Sequence, residues 1–272
     1  GVIIARTQDE ARAAINEIML DKKFGKSGDR IVIEEFLTGP EVSVLSFTDG
    51  KTIIPMVSSM DHKRAFDGDL GPNTGGMGTI APNPYYTEKI AGRCMDEIFL
   101  PTINAMNAEG RTFKGCLYFG LMLTSSGPKV IEYNCRFGDP ETQVVLPLLE
   151  SDLLKIMMAV TSGTLAECEV RFGKRSAACV IMASKGYPGK YEKGFEIDIP
   201  ADMADSVYVA GAEKKNGKLF TSGGRVLGVT ATADTLKEAV DAAYEKVGRI
   251  RFENACYRKD IGAKSLKISE DR

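Results

Sequence analysis

A single histidine, His62, serves this 272-residue chain, and that scarcity removes whole classes of chemistry. A Ser-His-Asp triad is disfavoured, no GxSxG turn is present to hold its nucleophile, and a zinc site would lack histidine ligands. The six cysteines (Cys94, Cys116, Cys135, Cys168, Cys179, Cys256) lie far apart and form no CxxC pair. Free, mostly buried thiols in a reducing compartment are therefore expected. No apolar run approaches the length of a membrane helix. Neither sign of charge dominates: 35 Lys and Arg against 37 Asp and Glu leave a net charge of -2, which gives no electrostatic case for nucleic acid or an anionic membrane. A Walker A sequence, an internal repeat and a low-complexity tract are all lacking. No signal-peptide pattern opens the chain, so the cytoplasm is the expected compartment. The first residue is Gly1 rather than Met, and Gly1-Val2-Ile3-Ile4-Ala5 reads as the middle of a strand, which predicts a fragment of something longer.

What is present is the composition of a globular protein, 43% hydrophobic and 26% charged, with room for one large or two ordinary domains. After an Ile3-Ile4 strand, Thr7-Gln8-Asp9-Glu10 fits a capping box for a helix to about Leu20, with Ala11, Ala14, Ile15 and Ile18 on one face. Arg30 to Leu37 reads as a strand broken by Thr38-Gly39-Pro40. Val42–Phe47 and Thr52–Val57 then form a hairpin about Asp49-Gly50. Glu34, Glu35 and Glu41 around the break suit a hinge whose backbone meets an adenine edge, although acidic residues at a strand end are more often simply solvated. Ser58 to Pro84 reads as a long, largely irregular functional segment holding Asp61-His62-Lys63-Arg64 and Gly71-Pro72-Asn73-Thr74-Gly75-Gly76-Met77-Gly78. Gly75, Gly76 and Gly78 would let backbone amides approach a phosphate, with Lys63 and Arg64 supplying charge; a plain turn is the bland alternative. For His62 a structural hydrogen bond is the better expectation.

Thr87 to about Glu109 is an amphipathic helix with a kink at Pro101. Gly115 to Leu123 is a buried strand that pairs with Lys129 to Asn134 across Ser126-Gly127-Pro128. Two short helices follow, Pro140–Glu150 and Ser151–Val160, the second capped by Ser151. Ala177–Ala183 is a buried strand. Val207–Ala212 and Lys218–Ser222 pair across Asn216-Gly217, Arg225–Thr232 is a strand, and Thr235-Leu236-Lys237-Glu238 is a second capping box whose helix turns Leu236, Ala239, Val240 and Ala243 inward. Tyr257-Arg258-Lys259-Asp260-Ile261-Gly262 reads as a solvated, basic patch.

The chain is organised around Lys129 to Gln143. Glu132 and Asn134 stand two apart on a strand, so both side chains leave on one face. A carboxylate and an amide oxygen are hard ligands suited to Mg²⁺. Arg136 adds a planar cation for phosphate or carboxylate, and Pro140 suits a helix start, whose N-terminus would favour anions.

In this order, EEFLTGPEVS, DHKR, GPNTGGMG and IEYNCRFGDPETQ resemble glycinamide ribonucleotide synthetase (phosphoribosylamine–glycine ligase), a family of ATP-grasp enzymes of purine biosynthesis. Ser184-Lys185-Gly186-Tyr187-Pro188-Gly189, Gly223-Gly224-Arg225-Val226 and the 257–262 segment resemble its C-terminal lobe, so the likeness runs over essentially the whole chain. It implies ATP-dependent ligation of glycine to phosphoribosylamine through an acyl phosphate, with Mg²⁺ or Mn²⁺. It further implies Glu132 and Asn134 as metal ligands and Arg136, Lys63 and Asn73 as catalytic residues. Glu34, Glu35, Phe36 and Leu37 would line the adenine site, with Glu41 on the ribose. Asp61, His62, Arg64, Thr74, Gly75, Gly76 and Gly78 would form the phosphate and substrate loops, and Asp139 and Glu141 would help position the amine.

The pattern departs from the family's relatives in one strand: Leu117 to Leu123 offers no further metal-binding carboxylate, so phosphates and water would complete the shell. Gly1-Val2-Ile3 resembles the end of the family's phosphate loop, which implies that an N-terminal part of the same polypeptide is the missing partner. The expected fold is α+β, an ATP-grasp lobe over 1–170 and a small C-terminal lobe over 171–272. Two other readings compete: an ATP-grasp ligase for another acid and amine, and a non-catalytic nucleotide-binding or interaction module.

Overall fold

The computed structural model describes residues 2–270, and it divides into two compact units, residues 1–38 and 39–272. Gly1, the first residue of the expected N-terminal strand, lies outside the described residues, as do Asp271 and Arg272.

The first unit holds helix α1 (Gln8–Ile15), which runs on as a wider turn over Asn16–Leu20. Thr7 caps it by accepting from the Glu10 amide at 3.2 Å, while the Glu10 carboxylate reaches back to the Arg6 amide at 2.6 Å. The face of Ala11, Ala14, Ile15 and Ile18 is half-buried, as its periodicity predicts. Two expected strands do not form: Ile3-Ile4 and Arg30–Leu37 have no regular structure. The apolar side chains of the second stand in solvent, Val32 84% and Ile33 79% exposed. A strand is made by its neighbour's hydrogen bonds, and among the described residues none pairs with either segment.

The second unit introduces strands β1 (Glu41–Thr48), β2 (Ile53–Pro55), β3 (Met60–Asp61), β4 (Arg64–Phe66), β5 (Leu70–Asn73) and β6 (Gly78–Ala81). The segment expected to be irregular thus carries four short strands, and their partners explain why. β3 and β6 join the edge of a sheet built from residues after 170, while β4 and β5 pair with each other. Such long-range pairing leaves little trace in local sequence.

Helices α2 (Glu88–Cys94) and α3 (Leu100–Ala108) flank a wide turn at Met95–Phe99. The turn ends just before Leu100-Pro101, where proline lacks an N–H and crowds the preceding turn. Strands β7 (Gly115–Thr124) and β8 (Gly127–Asn134) follow and complete an antiparallel sheet ordered β2-β1-β7-β8. Alternation divides its side chains between two cores. Val42, Val44, Leu117, Phe119 and Leu121 pack against Cys94, Ile98, Phe99 and Ile103. Leu45, Phe47, Cys116 and Tyr118 face Val144, Ile156 and Val160.

Those last residues lie on α4 (Thr142–Val145) and α5 (Leu153–Ser162). Pro140 therefore precedes its helix rather than opening it. Asp152, not Ser151, caps α5, accepting from the Leu154 and Lys155 amides; Ser151 Oγ is taken by the Arg171 amide at 2.9 Å.

The remaining elements are β9 (Ser176–Ser184), β10 (Glu196–Ile197), β11 (Val207–Val209), β12 (Ala212–Lys215), β13 (Lys218–Thr221), β14 (Arg225–Ala233), α6 (Leu236–Arg249), β15 (Ala255–Cys256) and α7 (Ala263–Glu270). The Asn216-Gly217 hairpin forms, with both residues at positive φ, but it joins β12 to β13; β11 pairs with β14 instead. The larger sheet runs β11-β14-β9-β6-β3, with β15 also on β9, so it takes strands from both sides of Arg171. α6 carries the expected capping box, Thr235 with Glu238, and buries Ala239, Val240, Ala243 and Val247. All six cysteines are free; Cys94, Cys116 and Cys179 are buried, Cys168 and Cys256 half-buried, and Cys135 exposed.

Candidate active site

The Glu132–Asn134 pair stands on one face of the β1-β7-β8 sheet. Register places Ser43, Gly120 and Glu132 in one row across the three strands, and Leu45, Tyr118 and Asn134 in the next. Opposed residues of an antiparallel pair share a face, so Glu132, Asn134, Ser43 and Tyr118 all point the same way. Gly120 keeps the row open, since a Cβ there would lie 3.0 Å from Glu132 Cγ. Asn134 Nδ2 donates to Glu132 Oε1 at 3.4 Å, and Arg136 Nη2 to Asn134 Oδ1 at 3.4 Å. Both distances are at the weak end of hydrogen bonding, and Glu132 and Arg136 are exposed, so the oxygens remain available. Arg136 also donates to the Phe137 carbonyl at 2.8 Å.

Period-two alternation splits the Asp61-His62-Lys63-Arg64 motif between two tasks. Asp61 and Lys63 turn toward the carboxylates. Lys63 Nζ lies 3.1 Å from Glu41 Oε2. Burial works against its ammonium, but the charges of Glu41, Asp61 and Glu132 outweigh that and hold its pKa above the ordinary lysine value. Asp61 Oδ1 is buried without a hydrogen-bond partner. That burial, and then the charge of Glu141, push its carboxyl well above the usual range.

Glu141 is 4% exposed. Its Oε1 accepts from Tyr118 Oη at 3.1 Å and from Ser43 Oγ at 3.4 Å. Burial, then the neighbouring Glu141 charge, raise the Tyr118 phenol. Asp139 is fully engaged, with Oδ2 on Arg225 at 2.9 Å and Oδ1 accepting from Gln143 Nε2 at 2.8 Å.

His62 faces the other way and is buried. Its Nδ1 sits 3.1 Å from the Gly78 carbonyl and its Nε2 accepts from the Gly262 amide at 3.1 Å. That pattern requires the neutral ring protonated on Nδ1. Arg64 is exposed and donates to Gly71 O at 2.6 Å. Asn73 is exposed on β5, opposite Arg64.

The glycine-rich turn differs from a phosphate nest. The Gly75 amide donates to Tyr187 Oη at 3.1 Å and the Gly76 amide to Thr74 Oγ1 at 3.0 Å, so both amides already have partners. The glycines serve close packing instead. A Cβ on Gly76, at φ +110°, would lie 2.6 Å from Asp61 Oδ1, and one on Gly78 would lie 2.8 Å from Cys179 O. The segment at 257–262 is likewise not a solvated patch: Arg258 is 2% exposed. It donates to Asp260 through Nε and Nη2, both at 2.8 Å, and to Asp69 at 2.9 Å.

Lys63, Asp61, Glu41, Glu132, Asn134, Arg136 and Glu141 thus converge in the second unit. Glu34, Glu35, Phe36 and Leu37 belong to the first, where Phe36 is 60% exposed. Sequence reasoning missed Tyr118 and Ser43, whose hydroxyls are hidden inside apolar strands, and gave Arg225 no site role, reading it only within the Gly223-Gly224-Arg225-Val226 stretch that resembles the C-terminal lobe. Among the described residues no three His, Cys, Asp or Glu side chains form a metal-holding group. Glu132 and Asn134 are the hard-oxygen pair that could hold part of a cation's shell.

Two family models cover most of the chain. The phosphoribosylglycinamide synthetase ATP-grasp (A) domain matches residues 1–142, and the C domain of the same synthetase matches residues 177–264. The chain belongs to the phosphoribosylglycinamide synthetase family. Within the family, it is 47% identical over 268 residues to a phosphoribosylamine–glycine ligase of Halalkalibacterium halodurans, covering 98% of this chain and 62% of that protein. It is 48% identical to the human trifunctional purine biosynthetic protein adenosine-3, covering 98% of this chain and 27% of that one. The crystal structure of a phosphoribosylamine–glycine ligase from Thermotoga maritima superposes with a TM-score of 0.86 at 35% identity, over 96% of this chain and 65% of the other. The biotin carboxylase domain of a Hydrogenobacter thermophilus 2-oxoglutarate carboxylase shares the fold alone, with a TM-score of 0.67 at 14% identity, 93% of this chain and 55% of that one being covered. The α+β ATP-grasp architecture expected from the sequence is the one present. The chain spans less than two thirds of the length of the single-function relatives it matches, 62% of the first and 63% of the second.

Proposed function

We propose that the polypeptide carrying this chain ligates glycine to 5-phosphoribosylamine at the expense of ATP, giving glycinamide ribonucleotide, ADP and phosphate. A carboxylate is a poor electrophile because oxide would have to leave. A glycine carboxylate oxygen attacks the γ-phosphorus, ADP departs, and the acyl carbon gains phosphate as its leaving group. The amine of phosphoribosylamine then attacks that carbon, phosphate leaves, and the nitrogen gives up a proton. Mg²⁺ or Mn²⁺ fits the carboxylate and amide oxygens of Glu132 and Asn134, and when bound would neutralise phosphate charge, with phosphate and water oxygens completing its shell.

Lys63 and Arg136 are the cations for the charge that spreads over the transferring group. Glu41 keeps Lys63 charged and aimed. Buried Glu141 faces the amine, with the Asp61 carboxyl beside it as a hydrogen-bonding group, and Tyr118 and Ser43 fix Glu141. Glu34 to Leu37 serve the adenine, Glu41 the ribose, and Asn73 with the 74–78 turn covers the reacting groups. We assign the ATP-grasp part to 1–170 and the C-terminal lobe to 171–272, in the cytoplasm, with small molecules as partners and the remaining length of the family's polypeptide completing the enzyme. The observation that carries this reading is the open Glu132–Asn134 pair beside Lys63 and Arg136 in a chain of this family. The test is ADP release by the complete polypeptide, expected only with glycine and phosphoribosylamine together. Equal release with other acids or amines points to a different ligase, and none with any pair overturns the reading.

A further inference from the structure

Arg225 opens β14, outside the sheet that bears Glu132 and Asn134, yet its guanidinium holds two site segments at once. Nη1 donates to Gly75 O and to Asp139 O, each at 2.8 Å, with Gly76 O at 3.4 Å. Nη2 donates to Asp139 Oδ2 at 2.9 Å. The side chain is only 21% exposed, so water competes weakly for these bonds. Three of the four acceptors are backbone carbonyls, which fixes main chain rather than side-chain rotamers. The two segments come from residues 75–76 and 139, and each carries site groups. The Gly76 backbone lies against Asp61 Oδ1 and Pro140 Cδ, where a Cβ would stand 2.6 and 2.5 Å away. Asp139 lies between Arg136 and Glu141 in the chain.

The surroundings are built for this contact. A Cβ on Gly75 would lie 3.0 Å from Arg225 Cζ, so glycine lets the guanidinium lie close on the turn. Tyr187 occupies the space over Gly224, where a Cβ would come 2.2 Å from its ring, and its hydroxyl accepts from the Gly75 amide. The C-terminal residues therefore hold the turn through both its carbonyls and one amide. A lysine could not replace the planar fork, having a single point of charge.

We propose that Arg225 is a positioning residue for the ligase reaction: it locks the Gly75–Gly76 turn to the Asp139–Glu141 segment, and so keeps Asp61, Glu141 and Arg136 in register. This rests on the ligase reading above. Arg225→Ala and Arg225→Lys would be made in the complete polypeptide, with hydrogen exchange, melting temperature and steady-state kinetics measured on each. Faster exchange is expected over residues 72–78 and 136–141, with exchange over the distant β1–β2 hairpin unchanged and a lowered but still cooperative melt. In Arg225→Ala kcat should fall about 100-fold, the cost of a small misplacement of reacting groups, while KM for ATP stays within about twofold. Millimolar guanidinium should restore part of the lost rate in Arg225→Ala, and ammonium should not. Unchanged exchange or unchanged kcat overturns the proposal, as does equal rescue by ammonium, which would reduce the residue to a charge. If the unaltered polypeptide turns over no glycine, the ligase reading fails, while altered exchange at both segments would show that the clamp itself stands.

Discussion

Two polar clusters in the second unit treat water in opposite ways. Around Arg258 every charge is spent: the guanidinium serves Asp69, Asp260 and the Arg64 carbonyl, and the turn at Asp67–Asp69 is tied back through Gly68 to Asp260 and through Lys259 to Asp67. Burial works to raise the Asp260 carboxyl, but the Arg258 bonds and the Gly68 amide overcome it and bring its pKa down to about 2. Around Glu132 the reverse holds: the exposed side chains of Glu132 and Arg136 meet half-buried Asn134 through contacts of 3.4 Å. A saturated cluster has no oxygen left for a ligand, and an open one of hard donors does. Local sequence gives both the same texture of Arg, Asp, Asn and Glu; their completeness in space separates structure from function.

The largest effect should come from breaking the saturated cluster. Arg258→Ala takes the buried guanidinium from two part-exposed carboxylates, Asp69 at 36% and Asp260 at 26%, and we expect about 1.5–3 kcal/mol of lost stability in urea unfolding. A loss under about 1 kcal/mol would mean that solvent already screens the cluster. Glu132→Ala should do the opposite, leaving stability within about 0.5 kcal/mol while weakening Mg²⁺–ATP binding by more than about 100-fold in calorimetry. Binding that survives the change would remove Glu132 from the metal role.

That contrast also marks what could be read from the chain. Same-face placement of Glu132 and Asn134 follows from period two alone, and the β7–β8 hairpin and the α6 capping box follow from turn and cap chemistry. Arg30–Leu37 shows the limit, because its apolar residues announce a strand that only a neighbouring strand can make. The β6 strand was illegible for the converse reason: its partner, β9, lies about a hundred residues on, and β3 forms only by pairing with β6. Burial of Arg258 could not be read because its compensating Asp69 is almost two hundred residues away. Gly75 and Gly76 were legible as special backbone, yet their purpose, packing on Asp61 and Arg225, was not.

His62 belongs to the saturated side and gives it a pH dependence. Burial, then the Arg258 charge, lower its pKa from 6.5 to about 4. Below pH 6.5 the unfolded chain takes up a proton that the folded chain refuses until about 4, so this group removes stability as pH falls through that window. The slope is at most about 1.4 kcal/mol per pH unit. Asp61, raised in the fold, works in the opposite sense, so the informative quantity is the difference between wild type and His62→Gln. That difference should shrink steadily from pH 6.5 to about 4 in thermal melts. A constant difference would mean that His62 does not titrate there.

The smallest expected effect sharpens the comparison most, because it stays within one cluster. Lys264 on α7 shares Asp69 with Arg258, its Nζ 2.5 Å from Oδ2, but its side chain is 67% exposed where that of Arg258 is 1% exposed. The two cations share their charge and the partner Asp69; they differ in solvent access and in the further bonds of Arg258 to Asp260 and the Arg64 carbonyl. An exposed pair gains little over its hydrated members and is screened by salt. Lys264→Met should therefore cost less than about 1 kcal/mol, and less still at high ionic strength, where Arg258→Ala keeps most of its penalty. Equal costs for the two substitutions would show that the partner rather than burial sets the energy, and the division between a saturated and an open cluster would have to be drawn on other grounds.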